Sequence, residues 1–87
     1  MKPNALVINE ADNVAVTLED VEKGGRIYLP DGREITAADD IPYSHKVALR
    51  SFRRGEDIVK YGEVIGQAGQ EIAEGDWVHT HNLVVED

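Results

Sequence analysis

The chain reads Lys60-Tyr61-Gly62-Glu63-Val64-Ile65-Gly66 and then, after a short connection, Gly75-Asp76-Trp77-Val78-His79-Thr80-His81-Asn82. The second segment places two of the three histidines two residues apart. Side chains alternate between the two faces of an extended strand, so a strand here predicts that both imidazoles leave the same face. The pattern therefore predicts a pair of histidines presented side by side.

The length of the chain limits what it can enclose. Its 87 residues suffice for one domain, residues 1–87, and leave no room for a second. A domain of this size buries only about 60–65% of the surface that its unfolded chain exposes, so its core is thin. We expect no deep pocket made by this chain alone, and a large substrate site would need a surface from a partner.

The charge balance argues against nucleic acid as a partner. The chain has 17 acidic and 9 basic residues, a formal net charge of −8. Phosphate backbones are bound by Lys and Arg side chains that neutralise them, and an acidic surface repels them. Arg50, Arg53 and Arg54 form one local basic group, which we interpret as a solvated loop face.

Two further features of the composition narrow the chemistry and the compartment. The chain has no cysteine, which excludes disulfides, thiol nucleophiles and cysteine-ligated metal clusters supplied by this chain. The apolar run Ala5-Leu6-Val7-Ile8 is too short for a signal peptide or a membrane span. We therefore expect a cytoplasmic protein with no membrane partner.

Local patterns predict a mainly β domain. Short segments rich in β-branched and aromatic residues predict strands at residues 6–8, 14–18, 26–29 and 34–36. The tetrapeptide Pro30-Asp31-Gly32-Arg33 is typical of a turn. Residues 19–25 favour a single helical turn ended by glycine. No segment keeps a helical period for ten residues, so the prediction is a β domain with short helical turns.

A spaced repeat organises the β segments. An apolar residue, a glycine three residues later and a second apolar residue three after that occur in Val21-Gly24-Ile27, Phe52-Gly55-Ile58 and Ile72-Gly75-Val78, and a fourth copy, Ile41-Ser44-Val47, has serine for glycine. The copies begin 20, 11 and 20 residues apart, which indicates two similar halves and a pseudo-twofold fold. Each copy predicts a tight turn whose glycine takes a left-handed conformation.

The serine in the fourth copy is informative. A non-glycine residue in a left-handed conformation costs on the order of 1 kcal/mol. Either Ser44 has another backbone geometry, or strain lies immediately before His45 and Lys46. Backbone strain of that kind occurs near functional sites.

Several polar residues are candidates for chemistry, namely Asp12, Asn13, His45, Lys46, His79, His81 and Asn82. If they meet at one edge of a small barrel, they offer up to three imidazoles and a carboxylate, a donor set that suits Fe(II), Mn(II) or Zn(II). The alternative is that the two C-terminal histidines ligate nothing and the charged residues are ordinary surface groups. We interpret Trp77 and Tyr61 as core or interface residues.

Several motifs in register resemble one known family. They are Asp12-Asn13-Val14-Ala15-Val16, Ile41-Pro42-Tyr43-Ser44-His45-Lys46-Val47-Ala48-Leu49, the Lys60–Gly66 segment and Trp77-Val78-His79-Thr80-His81-Asn82. Over about residues 5–83 the chain resembles the altronate/galactarate dehydratase family and, more narrowly, its SAF domain, a β-clip fold. One departure is Ser44, where the family usually has glycine, and this puts the local backbone at that position in doubt.

The resemblance implies a function and a partner. Family members are metal-dependent lyases, typically requiring iron(II) or manganese(II), that remove water or sulfite from acidic hydroxy acids. Larger members carry the SAF domain fused to a long catalytic region, whereas in sulfolactate sulfo-lyase the two are separate subunits. We therefore expect a small subunit that works with a large catalytic subunit of the same family and has little activity alone. Oligomeric state is left open, although the exposed Val84-Val85 pair could dock on another chain.

Site roles also follow from the resemblance. It implies catalytic roles for His45, Lys46 and Asp12, and metal ligation by His79 and His81. It implies substrate binding by Asn82 and Lys46.

Two alternatives belong to other functional classes. The first is a non-catalytic SAF module that binds a sugar or a partner. The second is a lipoyl or biotinyl carrier, since carriers are also small, acidic and pseudo-symmetric, and Ser44-His45-Lys46-Val47 loosely resembles a modified-lysine turn. Carriers present that lysine at a hairpin tip, however, and they give no reason for the His-Thr-His-Asn motif.

Overall fold

A computed structural model describes residues 2–85 and confirms the all-β architecture. Within that range the structure contains nine strands and no helix. The strands are β1 (Ala5–Leu6), β2 (Val14–Thr17), β3 (Arg26–Tyr28), β4 (Glu34–Thr36), β5 (Lys46–Ala48), β6 (Asp57–Lys60), β7 (Glu63–Ala68), β8 (Trp77–Val78) and β9 (Leu83–Val84).

The strands form three sheets in which every pairing is antiparallel. The largest sheet has the order β1-β2-β5-β8, and the smaller ones are β3-β4 and β6-β7-β9. Strands distant in sequence are therefore neighbours in the four-stranded sheet. This arrangement matters for the site, because β5 and β8 pair directly.

The four-stranded sheet separates two hydrophobic cores. Along β2, Val14 belongs to one core and Ala15 to the other, and Ala48 and Val47 of β5 alternate in the same way. Alternation with a period of two is what a strand covered on both faces requires. The first core contains Ala5, Ala15, Val21, Ile27, Leu29, Ile35, Ala37, Ile41, Val47 and Leu49. The second core contains Val14, Ala48, Phe52, Ile58, Ala68, Ile72 and Val78.

The spaced repeat corresponds to four equivalent tight turns. The third residue of each turn has a positive φ, with values of 87° at Gly24, 70° at Ser44, 91° at Gly55 and 90° at Gly75. In each turn the fourth N–H donates to the first carbonyl over 2.8–3.1 Å. A positive φ at the third position alone is the signature of a type II β-turn. The predicted helical turn at residues 19–25 is therefore wrong, since the glycine ends a β-turn instead.

The two predicted halves are visible in the way these turns pair. Val21 and Ile41 form one reciprocal antiparallel bridge, and Phe52 and Ile72 form the other. The first pair lies in the first core and the second pair in the second core. Each half thus encloses its own core, while the four-stranded sheet is shared between them.

Carboxylates hold the turns in place. In the first half Asp40 accepts the Lys23 N–H over 2.9 Å, and Asp20 accepts the Tyr43 N–H over 2.8 Å, so each turn is capped by the other. In the second half each turn is capped from within, by Glu56 at the Arg53 N–H and by Asp76 at the Ala73 N–H. Part of the acidic composition is therefore structural.

Candidate active site at the β5–β8 edge

Antiparallel pairing brings two of the predicted site segments together. Lys46 at the start of β5 lies opposite Val78 at the end of β8. The residue before β5 is His45 and the residue after β8 is His79, and their ring centroids are 4.8 Å apart. The register of one strand pair therefore joins histidines that are far apart in the sequence.

The His-Thr-His-Asn segment is a turn, which corrects the predicted strand. Strand β8 ends at Val78. Beyond it, the N–H groups of Asn82 and Leu83 both donate to the His79 carbonyl, over 3.1 and 2.9 Å. The Asn82 side chain accepts the His79 N–H over 2.9 Å and donates to the Trp77 carbonyl over 2.8 Å. Asparagine side chains compete with strand pairing through such local hydrogen bonds, and here they fold the chain back.

This geometry also defines what Asn82 does within the chain. Asn82 is only 3% exposed, and its side-chain oxygen and nitrogen both form hydrogen bonds with the backbone. The predicted role in substrate binding stays a prediction. The contacts within the chain make Asn82 the residue that shapes the histidine turn.

The indole of Trp77 lies at the centre of the imidazole cluster. The indole N–H donates to Nδ1 of His45 over 3.0 Å. The His79 ring stacks on the indole with centroids 5.1 Å apart and planes 8° from parallel. The His81 ring contacts it at 5.2 Å with a tilt of 46°. We define these four residues as the imidazole cluster.

Lys46 lies beside the cluster with its side chain on the other face of the sheet. It is directly opposite Val78, which belongs to the second core, and residues opposite each other share a face. Burial lowers the pKa of the Lys46 ammonium, and the nearby Lys60 ammonium lowers it further. Among the residues that the structure describes, neither lysine forms a salt bridge.

The electrostatics of His79 favour its neutral form. Desolvation lowers the pKa of its imidazole, and Coulomb repulsion from the neighbouring His45, Lys46 and His81 side chains acts in the same direction. A neutral imidazole is the form that accepts a proton or ligates a metal.

Asp12 is not brought into this cluster. It precedes β2 at the end that pairs with Ala48, whereas the His45 carbonyl accepts the Thr17 N–H at the opposite end. Its two carboxylate oxygens accept the N–H groups of Asn9 and Gly62, over 3.0 and 2.8 Å. The carboxylate thereby ties the loop before β2 to the hairpin turn between β6 and β7. Its catalytic role stays a prediction.

The chain does not by itself assemble a complete metal site within residues 2–85. No group of three or more His, Cys, Asp or Glu side chains in that range is arranged to hold a metal ion. His79 and His81 supply two imidazole donors around one indole. Any metal held by these two residues would need further ligands from elsewhere.

The surroundings of the cluster are open rather than enclosed. Two sizeable depressions are lined by the paired turns of the two halves, and neither includes an imidazole.

The part of the chain that the structure describes has no helix that is long and apolar enough to cross a membrane. Val84 and Val85 are exposed, as predicted, with 47% and 65% of their surface accessible.

The lysine environment argues against the carrier alternative. Lys46 is half-buried at the start of β5 and is paired on both sides, with Val16 and with Val78. A carrier lysine must protrude from a hairpin tip to be modified and to swing between sites. Lys46 does not have that placement.

The chain belongs to a known family of domains. The model of the altronate/galactarate dehydratase SAF domain family matches residues 3–86, and the chain belongs to that family. The predicted recognition is therefore confirmed over nearly the whole chain.

Individual relatives are lyases or subunits of lyases. The chain is 44% identical over 75 residues to altronate dehydratase of Bacillus subtilis, a match that covers 86% of this chain and 15% of that protein. It is 34% identical over 84 residues to the alpha subunit of (2R)-sulfolactate sulfo-lyase from Chromohalobacter salexigens, covering 88% of this chain and 89% of that subunit. The chain thus spans about a seventh of the dehydratase but nearly all of the sulfo-lyase subunit.

Sequence patterns alone did not identify two residues of the site as functional. Trp77 was interpreted as a core or interface residue, although its spacing of two from His79 signals a shared environment. Lys60 was seen only as part of a strand-and-turn motif, and its proximity to Lys46 depends on how the two halves pack. No local sequence pattern predicts the proximity of Lys60 to Lys46.

Proposed function

We propose that this chain is the small subunit of a metal-dependent carbon–oxygen or carbon–sulfur lyase. It acts on acidic hydroxy acids, such as sugar acids, and lends its imidazole cluster to a site completed by a large subunit of the same family. The observation that carries the proposal is the convergence of His45, His79 and His81 on Trp77. The match to nearly all of a sulfo-lyase alpha subunit supports the separate-subunit arrangement.

The residues of this chain fit the electrostatics of such a reaction. Removing a β-leaving group from a hydroxy acid requires a base for the proton α to the carboxylate and assistance to the departing group. The Lys46 ammonium, which has no salt-bridge partner among the described residues, pairs with the substrate carboxylate. The neutral imidazole of His79 accepts a proton or binds a metal, because its lowered pKa disfavours the charged form.

A divalent metal, Fe(II) or Mn(II), completes the proposal. His79 and His81 are the residues of this chain that would hold it, with the remaining ligands from the large subunit, because two imidazoles alone do not fill a coordination sphere. When bound, the metal supplies Lewis acidity at the leaving group. The surface position of the cluster suits a site shared between two chains.

Reconstitution tests the proposal. The purified chain, a large chain of the family and their mixture are assayed separately for turnover of altronate, galactarate and (2R)-sulfolactate. We expect little or no turnover by this chain alone and metal-dependent turnover by the mixture. Replacing His79 and His81 by Ala lowers kcat of the mixture by about 10²-fold or more.

A matched control separates this effect from general damage. Arg54 is an exposed cation in a loop of the second half, so Arg54→Ala leaves turnover unchanged. If the double histidine variant assembles with the large chain and keeps full turnover, the catalytic proposal fails. That result would instead support a non-catalytic binding module.

A further inference from the structure

We propose that Trp77 is a positioning residue that fixes the tautomer and orientation of His45, so that His45 offers its Nε2–H as a hydrogen-bond donor to an anionic oxygen. This inference deepens the proposed function and rests on it for the identity of the anion, the carboxylate of a hydroxy acid. It assigns Trp77 a defined role beyond packing against the first core.

The argument begins with the chemistry of the indole. An indole nitrogen carries a hydrogen and has no lone pair to accept one, so it acts only as a donor. Nδ1 of His45 lies 3.0 Å from it and must therefore be the acceptor. A neutral imidazole has one protonated nitrogen, which here is Nε2.

Trp77 is itself held in place, as a positioning residue requires. The backbone N–H of Trp77 donates to the Asp39 carboxylate over 3.1 Å, and the backbone carbonyl of Trp77 accepts the Asn82 side-chain amide over 2.8 Å. Trp77 pairs with Val47 in the sheet and packs against the first core. Its side chain therefore has little freedom to follow a moving imidazole.

The backbone of His45 is fixed from the other side. Its N–H donates to the Pro42 carbonyl over 3.1 Å, and its carbonyl accepts the Thr17 N–H over 3.0 Å. The hydroxyl of Thr17, which is 1% exposed, donates to the Pro42 carbonyl over 2.8 Å. With backbone and Nδ1 both restrained, the direction of Nε2–H is set before any ligand arrives.

This arrangement divides the work among the three histidines. Nδ1 of His45 is occupied, so this ring contributes a donor through Nε2 rather than a base or a ligand through Nδ1. His79 stacks on the indole through its ring face, which leaves its nitrogens at the ring edge free of that contact. The cluster thus pairs a donor for an anion with two imidazoles suited to ligation.

The test exploits the fact that Trp77 is the only tryptophan. Supplying 3-benzothienylalanine in place of tryptophan exchanges the indole N–H for sulfur at this one position while keeping the bicyclic shape. Ring nitrogens of 15N-labelled histidine report the tautomer directly, read about two pH units above the ordinary histidine pKa so that the rings are neutral. The isolated chain suffices, without metal, partner or substrate.

In the native chain we expect His45 to show a protonated Nε2 and an unprotonated Nδ1. In the benzothienyl protein the separation between its two nitrogen shifts shrinks as the Nδ1–H tautomer becomes populated. Trp77→Phe gives the same loss, and backbone amide spectra verify that β5 and β8 remain paired. An Nδ1–H tautomer in the native chain, or no change in the benzothienyl protein, would overturn the assignment.

The outcome is distinguishable from failure of the proposed function. Turnover by the reconstituted complex with an unchanged His45 tautomer in the benzothienyl protein refutes the positioning role and leaves the lyase proposal standing. A shifted tautomer in a chain that never supports turnover keeps the role of Trp77 and removes the substrate from the argument.

Discussion

At the scale of single residues, Ser44 shows how a local departure bears on a site. Three of the four type II turns have glycine at the position with positive φ, and the fourth has serine with φ of 70°. The serine therefore stores conformational strain directly before His45. Sequence analysis had left two geometries open, and the strained one is observed.

Relief of this strain is measurable. We expect Ser44→Gly to raise the free energy of unfolding by about 0.5–1 kcal/mol, because glycine takes a positive φ without penalty. The higher conformational entropy of glycine in the unfolded chain offsets part of this stabilisation. Chemical denaturation of the isolated chain measures the change.

The matched control introduces serine at a turn that has glycine. A Cβ added at Gly24 meets no atom within 4 Å, so Gly24→Ser costs only the conformational term, about 1 kcal/mol. At Gly75 a Cβ would collide with the Thr36 carbonyl oxygen, and Gly75→Ser costs more. If Ser44→Gly destabilises the chain, strain at this turn is excluded.

His79 provides a second prediction at this scale, concerning pH. Its pKa is lowered from the ordinary 6.5, first by desolvation and then by neighbouring charges. Between the lowered folded value and 6.5 the unfolded chain binds a proton that the folded chain does not. The contribution of His79 to the free energy of unfolding is therefore complete above pH 6.5. It is lost as the pH falls from 6.5 through the lowered pKa of the folded chain.

Titration of the isolated, metal-free chain by NMR tests this ordering. We expect the His79 ring to titrate below 6.5, and Lys46→Met to raise its pKa part of the way back, since desolvation is the larger cause. Lys23→Met removes the same charge from a turn of the first half and serves as the control. A His79 pKa at or above 6.5 contradicts the electrostatic account.

At the scale of elements, one buried amide shapes the histidine turn. The Asn82 side chain bridges the His79 N–H and the Trp77 carbonyl, in addition to the backbone hydrogen bonds that the Asn82 and Leu83 N–H groups donate to the His79 carbonyl. Asn13 makes an equivalent bridge elsewhere, donating to the Asp57 carbonyl and accepting the Val59 N–H. The two asparagines offer a matched comparison.

We expect Asn82→Ala and Asn13→Ala each to lower the free energy of unfolding by about 1–3 kcal/mol, because each leaves a backbone donor and acceptor without partners. Only Asn82→Ala should also shift the ring resonances of His79 and His81. Thermal denaturation and histidine side-chain spectra give the two readouts. Unmoved imidazole signals in Asn82→Ala would show that the turn is held by other contacts.

At the scale of the whole molecule, the shared sheet determines where a site can form. The described chain measures 38 × 24 × 18 Å, and its interior is divided between two cores on either side of that sheet. Neither core is thick enough to enclose a ligand, so the functional groups lie at an edge of the sheet. An edge site open to one side is suited to completion by a second, larger chain.

The local elements of the fold have causes that lie within short stretches of the amino-acid sequence. Three of the four turns follow from glycine spacing, because a positive φ is accessible chiefly to glycine, and the fourth follows from the repeat despite its serine. The buried apolar residues of each copy of the repeat lie within six positions of one another. The family is identified from motifs spread over about residues 5–83, which include the three histidines.

The assembly of the site depends on contacts between distant segments of the fold. The contact between Trp77 and His45 joins residues 32 positions apart and depends on the register of β5 against β8. The fold of the histidine turn depends on the burial of Asn82 beneath it. The contacts of Asp12 with Asn9 and Gly62 likewise depend on the packing of distant segments. Such pairings are set by the packing of distant segments against shared cores, which no local propensity encodes.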